Sequence, residues 1–412
     1  SRLYTLNLAN ADVRHAGNFL NGSSADPNLD RKRIVELAVG ISGSFEFSAD
    51  TYSAQEDCAA MTVTVTRTGD LSGEATVEFE TRDLNLALAD SASSRSDYTA
   101  RYGRLVFDTG EASKSFSVLL SEDSHDESAQ ERASLRLLNP SAGYNLGARR
   151  TAELRILDDA AEPSANPIDD SATFVCQHYH DFLNRQPDAA GLAFWTQNIE
   201  SCGTNQACRE RKRIETSAAF FLSGEFQDTG NVAVRAHRAA FAHVEPAPFI
   251  TLEEFLRDAQ QLGQGYVVGQ PGAAAVLAEN TRRYYEEFVM RPEFLAVYAG
   301  LTNEQYVNRL NANAGNPLQA AERENVIDSL RSGSETRATV LRRVVEDAEY
   351  RIADRNRSFV LMQYFGYLRR EPDPAGFQFW LGKLNEFNGN FVAAEMVKAF
   401  ITSGEYRSRF GN

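Results

Sequence analysis

"NRQPDAAGLAFW" occupies Asn184–Trp195, and "RREPDPAGFQFW" occupies Arg369–Trp380. The two stretches lie 185 residues apart, share seven of their twelve residues and contain both tryptophans of the chain. A phrase repeated in this way is either a functional site or a structural junction. Which of the two it is decides whether the chain should be searched for catalysis or for architecture.

The residues around each copy favour a junction between two helices. Apolar residues recur at helical spacing before each copy, at Val175, Tyr179, Phe182 and Leu183, and again at Val360, Tyr364, Tyr367 and Leu368. The residue before a proline disfavours the α conformation, so the first helix should end near the proline of the motif. The aspartate that follows then stands where the next helix needs an N-cap.

The other motif residues also fit structural roles. The glycine lies in the first turn of the second helix, where a missing side chain permits close approach. The tryptophan shares the apolar face of that helix, and the arginine can bridge to the aspartate or to a helix C-terminus. The alternative is that arginine and aspartate form a ligand-binding pair, but no Ser, Cys or His nucleophile accompanies them. The predicted structural residues are Arg185, Asp188, Gly191, Trp195, Arg370, Asp373, Gly376 and Trp380.

Each unit also ends alike, with "AFFLSGEF" at 219–226 and "AFITSGEY" at 399–406. Weaker echoes at 286–294, 306–315 and 344–350 predict about four helical units, two of them degenerate. The motif and its closing S-x-E-F/Y resemble the DUF4214 domain of bacterial surface and secreted proteins, over roughly 174–411. That family has no settled activity, and the resemblance implies assembly or attachment rather than chemistry.

Residues 43–157 show the two-residue alternation that is typical of β-strands. Seven short segments rich in Val, Thr and Phe alternate between apolar and polar residues, and turn residues separate most of them. This pattern predicts an antiparallel, immunoglobulin-like β-sandwich. The expected fold is therefore a multidomain β + α chain, in which the sandwich precedes an all-α helical repeat domain. The expected domains are an N-terminal arm at 1–40, the sandwich at 41–160, a linker at 161–172 and the helical domain at 173–412.

The arm contains two alternating stretches, "LYTLNL" at 3–8 and "RIVELAVGI" at 33–41, and is expected to hold one or two strands. Such a strand can pair within its own domain, which is the default, or with a neighbouring chain. The chain begins with Ser1, so we expect it to be processed or excised from a longer one.

Four cysteines and one histidine pair invite metal or disulfide hypotheses. Cys202 and Cys208 flank a small polar loop and are expected to form a disulfide, with free thiols as the alternative. Cys58 and Cys176 can bridge domains, bridge chains or be buried thiols. His178 and His180 are two apart on a helix and should point in different directions, so we expect solvated or core-edge histidines rather than a zinc site.

The strand region also resembles the Calx-β domain. The matching pieces are "YSAQED" at 52–57, residues 96–131 and "ILDD" at 156–159. Loops at one end of a sandwich can bring distant carboxylates together, and Ca²⁺ prefers such hard oxygen ligands. The resemblance assigns calcium to Glu56, Asp97, Glu122, Asp123, Glu127, Asp158 and Asp159. The chain departs from the family pattern at Glu122, where Asp is usual, and at Gln130, which replaces an acid next to Glu131. The alternative is a cluster of solvated acids.

The composition narrows the function. The net charge is −15, and residues 1–165 hold 26 acidic against 16 basic residues, which argues against a nucleic-acid partner. No run of eighteen apolar residues predicts a membrane span. The sequence lacks G-x-S-x-G, H-E-x-x-H, P-loop and dinucleotide-binding motifs, so we expect no enzyme.

These observations together predict a secreted or cell-surface structural protein that binds calcium. Its expected partner is itself, in a filament, surface layer or matrix, or a cell-surface glycan or protein to which it adheres. The alternative function is a glycan-binding or attachment module of an exported protein, and a third possibility is a non-catalytic part of an exported enzyme.

Overall fold

The computed structural model describes residues 2–7, 12–18, 43–84, 90–125, 130–158, 165–242 and 250–411. The described strands are β1 (Arg2–Asn7), β2 (Asp12–Asn18), β3 (Gly43–Phe47), β4 (Thr51–Gln55), β5 (Ala60–Gly69), β6 (Ala75–Asp83), β7 (Tyr102–Phe107), β8 (Ser113–Leu119), β9 (Glu131–Leu138), β10 (Tyr144–Leu146) and β11 (Thr151–Leu157). The described α-helices are α1 (Ser171–His178), α2 (Ala189–Glu200), α3 (Gln206–Phe221), α4 (Gly224–Phe241), α5 (Leu252–Leu262), α6 (Ala273–Phe288), α7 (Pro292–Tyr298), α8 (Asn303–Asn313), α9 (Ala320–Ser332), α10 (Arg337–Glu346), α11 (Ala348–Gln363), α12 (Pro374–Glu386), α13 (Met396–Ile401) and α14 (Gly404–Arg407).

Strands β3–β11 form a sandwich of two sheets. One sheet has the order β10-β3-β5-β8, and the other has the order β4-β11-β9-β6-β7. Period-two alternation turns every second residue inward, as at Met61, Val63 and Val65 of β5, which are all buried. The predicted sandwich followed by a helical region is therefore confirmed.

The prediction that the sandwich is purely antiparallel is wrong, because its sheets are mixed. The first of the seven predicted strand segments, "FEFSADTY" at 45–52, breaks at residues 48–50, and its two halves enter different sheets. As a result β3 pairs in parallel with β10, and β4 pairs in parallel with β11. A strand that crosses from one sheet to the other can meet a strand of the same direction without the crossover helix that parallel neighbours usually need.

The N-terminal arm forms a hairpin in which β1 pairs antiparallel with β2. Among the described strands, β1 and β2 pair with each other and with no strand of the sandwich, so the predicted strand near residues 3–8 pairs within its own chain. The second predicted stretch at 33–41 lies outside the described residues.

The helices share one apolar core that runs from Ile168 to Phe410. The first and last units match each other: α1 and α11 each continue into a π-helical turn, at Tyr179–Leu183 and Tyr364–Leu368. These two turns pack together, with the rings of Phe182 and Tyr367 4.9 Å apart. Within the predicted linker, a 3₁₀ turn (Pro167–Asp169) and the start of α1 are already ordered parts of the helical region.

The sandwich rests directly on the helical region. Ala100 and Tyr102 belong to or pack against the helical core. Across the same boundary, the Arg95 guanidinium binds Glu405 at 2.7 Å, and the Ser124 amide donates to the Phe410 carbonyl at 3.1 Å. The boundary is therefore a packed interface with its own hydrogen bonds, which we call the seam.

A disulfide crosses the seam. Cys58, in the loop after β4, is bonded to Cys176 on α1, with a sequence separation of 118 residues. Cys202 and Cys208 form a second disulfide, as predicted. Of the three options for Cys58 and Cys176, the structure therefore supports the bridge between domains of one chain.

Both histidines of the "QHYH" segment are fully buried, so the prediction of solvated or core-edge histidines is wrong. The Nδ1–H of His178 donates to the Phe174 carbonyl at 2.7 Å, and its Nε2 lies 2.9 Å from the Ser217 hydroxyl. Burial lowers the pKa of His178 to about 4. Hydrogen bonds to buried partners offset the cost of burying the His178 ring. The sequence around a histidine does not show whether such partners exist.

In the described ranges, none of the helices is both long and apolar enough to cross a membrane.

The two disulfides should differ in how much they stabilise the fold. In the chain-entropy description, the long loop closed by Cys58–Cys176 is worth about 5 kcal/mol and the short Cys202–Cys208 loop about 2 kcal/mol. We expect the double variant C58S/C176S to lower the unfolding midpoint in denaturant far more than the control C202S/C208S, measured by far-UV circular dichroism. Equal effects of the two variants would contradict this ranking.

Candidate functional site

The two copies of the repeated motif sit at equivalent helix junctions. The π-helical turn ends at a residue with positive φ, 51° at Asn184 and 53° at Arg369. The aspartate directly after the proline caps the next helix, α2 or α12: Asp188 accepts from the Gly191 amide and Asp373 from the Gly376 amide, both at 2.8 Å.

The glycine of each copy is held against a tyrosine. A Cβ added at Gly376 would lie 2.5 Å from the Tyr364 hydroxyl oxygen, and one added at Gly191 would overlap the hydroxyl of the equivalent Tyr179. The helix therefore approaches the preceding turn more closely than any side chain permits.

The tryptophans lie at the rim of the core rather than inside it. Trp195 and Trp380 are partly buried, and each packs its ring 5.5 Å from a core phenylalanine, Phe220 or Phe400. The preceding residue of each copy, Phe194 or Phe379, is largely exposed, at 65% and 60%.

The motif arginines bind a partner that the sequence analysis did not assign. Arg185 forms a two-pronged ion pair with Glu225 at 3.0 and 3.2 Å, and Arg370 pairs with Glu405 at 2.5 and 2.8 Å. These glutamates belong to the closing S-G-E-F/Y of each unit, so the opening and closing phrases hold each other. The opening motif and the closing S-G-E-F/Y occur together in both units, and this joint recurrence could have indicated the ion pair between arginine and glutamate.

The second candidate site is an acidic cluster at the loop end of the sandwich, beside the seam. Asp97 and Asp123 are 3% and 1% exposed, and the Asp158 carboxylate follows β11 into the same region. The backbone holds one oxygen of each buried aspartate: Asp97 accepts from the Ser93 amide at 2.6 Å, and Asp123 from the His125 amide at 2.8 Å. Within the described part of the chain, Asp97 Oδ1 and Asp158 Oδ1 are buried without a hydrogen-bond partner.

The electrostatics of this cluster disfavour negative charge. Burial raises the pKa of the Asp97 carboxyl, and nearby Asp83 raises it further. Burial raises the pKa of Asp123 to about 6, with contributions from Asp97 and Asp158. Buried carboxylates normally have a paired cation or a full set of hydrogen bonds, so this cluster is short of positive charge.

The structure brings together only part of the predicted calcium set. Glu56 is buried at the end of β4, while Glu122 lines an open cleft of about 620 Å³ together with Asp57, Asn166 and Asp169. Glu127 and Asp159 lie outside the described residues. Among the described residues, no three carboxylates have ligand oxygens within 4.8 Å of one another, so binding a cation would require these side chains to close around it.

Glu131 is a buried acid that the predicted set missed. It is the first residue of β9, in which every second residue from Glu131 to Leu137 is buried. Its carboxyl also hydrogen-bonds with Asp97 and opposes the rise of the pKa of Asp97. Strand alternation counted backward from Ala133 could have placed it in the interior.

The donor set fits a hard divalent cation. It consists of carboxylates, of which Asp97 and Asp158 each have one buried oxygen with no hydrogen-bond partner among the residues that the structure describes. It contains no thiolate or imidazole, which softer metals prefer.

Known proteins match the two parts of the chain separately. Residues 41–160 match the family model of the Calx-beta domain, and residues 164–230 and 348–410 match that of a domain of unknown function, DUF4214. The sodium/calcium exchanger Calx of Drosophila melanogaster is 35% identical over 113 residues, which are 27% of this chain and 11% of the exchanger.

Two solved structures are similar to the sandwich. The apo-form Calx CBD1 domain is 34% identical, and the match covers 28% of this chain and 97% of that one, with a TM-score of 0.26. The calcium binding domain CBD12 of CALX1.1 is 35% identical, and the match covers 28% of this chain and 45% of that one, again with a TM-score of 0.26. The two predicted resemblances, to Calx-β and to DUF4214, are confirmed by the family matches.

The close approach at the motif glycine can be tested within one helix. We expect Gly376→Ala to destabilise the chain by about 1 to 3 kcal/mol, because its Cβ collides with Tyr364. The control Gly382→Ala lies in the same helix α12 with nothing within 4 Å of its Cβ, and should stabilise by about 0.5 to 1 kcal/mol. Adding Tyr364→Phe to Gly376→Ala should recover part of the loss. Equal effects of the two alanines on the denaturation midpoint would show that the contact is unimportant.

Proposed function

We propose that this chain is a non-catalytic structural protein of the cell surface or extracellular space, and that its Calx-beta sandwich binds calcium beside the seam. The observation that carries the proposal is the buried, cation-deficient cluster around Asp97, Asp123 and Asp158. We propose further that calcium supports assembly of the chain with copies of itself.

The cluster supports calcium through its chemistry. A bound Ca²⁺ would supply the positive charge that the buried carboxylates lack, and its preference for six to eight oxygens suits acids drawn from several loops. Asp97, Asp123, Asp158 and Glu131 would hold it, with Glu56 and Glu122 nearest the cleft. The relative that shares 35% identity with the sandwich is a sodium/calcium exchanger, which supports the same ion.

The position of the cluster supports a structural role for the ion. Immediately after Asp123, the Ser124 amide binds the Phe410 carbonyl, and the His125 ring lies 3.2 Å from the Ser408 carbonyl. Fixing Asp123 would therefore fix the loop that contacts the last helical unit. Because an ion that binds only the folded state stabilises that state by mass action, calcium should strengthen the seam.

The disulfides support a location outside the cytoplasm. All four cysteines are paired, and structural disulfides persist mainly in oxidising compartments. The motif residues support a role without catalysis, since Arg185, Asp188, Arg370 and Asp373 are engaged in caps and ion pairs.

The hairpin β1–β2 supports assembly. A two-stranded sheet presents unpaired main-chain donors and acceptors along its edges, and such edges pair readily with another chain. This is the part of the described structure best suited to strand addition between copies.

A glycan-binding role is the second candidate. Its support is the exposed Phe194 and Phe379, each of which packs edge-on against the adjacent tryptophan with ring centroids 5.1 Å apart. Paired exposed rings at two equivalent places could stack on sugars, since aromatic faces offer apolar area with low conformational cost.

Calcium binding should depend on the buried aspartates. We expect the parent chain to bind calcium with a dissociation constant of about 1 mM or below, measured by isothermal titration calorimetry. Asp97→Asn and Asp123→Asn should each weaken binding by at least about tenfold, or ~1.4 kcal/mol, because each removes a ligand charge. Asp108→Asn is the matched control: Asp108 is exposed at the far end of β7 and should leave binding unchanged. Parent-like binding by Asp97→Asn would refute the assignment of the site.

Assembly should be sensitive to calcium and to the arm. We expect light scattering to give a large mass with calcium, a smaller mass after chelation, and no assembly after deletion of residues 1–31. Unchanged assembly of the deletion variant would rule out strand exchange by the arm. A monomer under both conditions would remove the assembly proposal, and binding to a glycan array through Phe194 and Phe379 would then favour the second candidate.

A further inference from the structure

A histidine stands beside the disulfide that crosses the seam. His180 Nε2 lies 3.8 Å from Cys58 Sγ and 3.7 Å from Cys176 Sγ. The three ligand atoms lie within 4.8 Å of one another, and among the described residues this is the one such trio of His, Cys, Asp or Glu. Two sulfurs and an imidazole nitrogen converge at one point between the sandwich and α1.

The repeat shows that these residue types are not required by the fold. The positions equivalent to Cys176 and His180, 185 residues later, hold Leu361 and Phe365, which are both buried and apolar. The first unit thus replaces two core hydrophobes with ligand-type residues. It does so on the face that meets Cys58, a residue of the sandwich.

The spacing suits a thiophilic metal once the sulfurs are separate. A tetrahedral zinc ion with Zn–S near 2.3 Å and Zn–N near 2.1 Å places sulfur and nitrogen about 3.6 Å apart and the two sulfurs about 3.8 Å apart. The sulfur–nitrogen distances already match, so only the two sulfurs need to move apart. His180 Nδ1 is buried and has no hydrogen-bond partner among the described residues. The Leu120 carbonyl and the Gln186 side chain lie beside the ring, where a small shift would let one of them act as the outer partner that metal-bound histidines have.

We propose that, after reduction of the disulfide, Cys58, Cys176 and His180 bind one zinc ion across the seam, with water as the fourth ligand. The reductant is a dithiol: two exchange steps convert the Cys58–Cys176 bond into two thiols, and the dithiol becomes a disulfide. Zinc then displaces one proton from each thiol and takes the lone pair of His180 Nε2. Cys58 is partly buried and Cys176 is buried, so Cys58 is the more accessible half of the disulfide.

This site is separate from the acidic cluster in chemistry. Thiolate and imidazole select zinc or copper(I), whereas carboxylates select calcium. The consequence is that the seam has a cross-link in either redox state, covalent when oxidised and metal-mediated when reduced.

The test uses the full chain in a C202S/C208S background, so that Cys58 and Cys176 are the sole cysteines, with calcium present throughout. The protein is reduced with a phosphine, which does not compete for zinc as a dithiol would, then incubated with zinc, desalted and analysed for bound metal. The variant His180→Phe copies the residue that the second unit carries at this position, and it keeps both sulfurs.

We expect one zinc per chain in the reduced protein, none in the oxidised protein, and at least tenfold weaker retention in His180→Phe. Substitution with cobalt(II) should give the thiolate charge-transfer and tetrahedral d–d bands in the reduced parent. Equal retention by His180→Phe would overturn the role of the histidine. If the reduced chain unfolds without metal, zinc is added before the phosphine, and failure to retain zinc by either order would overturn the proposal.

Discussion

Arg409 donates two hydrogen bonds to the Asp181 carboxylate at 2.9 and 3.0 Å, one to the Tyr367 carbonyl and one to the Arg95 carbonyl. These four bonds join the π-helical turn of the first unit, that of the last unit, and the sandwich. Both charged side chains are buried. Burial by itself would raise the pKa of Asp181, but the adjacent Arg409 and Arg369 lower it. Breaking such a pair leaves an uncompensated buried charge, which costs about 3 to 5 kcal/mol.

The arrangement of the seam follows from this ion pair and from the acidic cluster nearby. At Arg409 the positive charge is matched by the Asp181 carboxylate and by two backbone carbonyls. The carboxylates of Asp97 and Asp123 accept backbone hydrogen bonds, and neither forms an ion pair with a basic side chain among the described residues. One end of the seam thus holds a buried ion pair, and the other holds buried carboxylates, where we propose that calcium binds. The loop of Ser124 and His125 links the acidic cluster to the Arg409 ion pair. It follows Asp123 in the chain and hydrogen-bonds to the carbonyls of Ser408 and Phe410.

Local patterns in the sequence predicted local structure well. The aspartate caps, the tight glycines and the switch from β to helical period all depend on neighbouring residues, and the structure contains each of them. Contacts between distant segments were harder. The parallel pairing of β4 with β11 requires the chain to change sheets at residues 48–50. The residues there give no recognisable signal for such a change. The Cys58–Cys176 bond was one option among three, and the burial of His178 depends on Ser217, which lies far along the chain.

In the candidate site, too, local features were predicted and contacts between distant segments were not. The resemblance to Calx-β supplied the acids, and the structure places Asp97 and Asp123 in the interior as desolvated groups. Glu131 was missed, although its strand alternates regularly, because the family pattern drew attention to the neighbouring Gln130 instead. The partnership of Arg185 with Glu225 was missed because each phrase was considered by itself, whereas the ion pair joins the beginning of a unit to its end.

The contact between the two π-helical turns has a consequence for how such a domain can evolve. In an open array each repeat leaves a free face for the next, and length varies by adding repeats at an end. Here the first unit and the last unit meet face to face, at Phe182, Gly366 and Tyr367, and α5–α10 lie between them in the chain. The two end units therefore pack against each other and leave no free face at this contact. Adding a repeat at either end would therefore have to open this pair. The intervening segment is constrained elsewhere, because Gln260 of α5 and Glu287 of α6 bind the sandwich at Ala100, Tyr102 and Arg104.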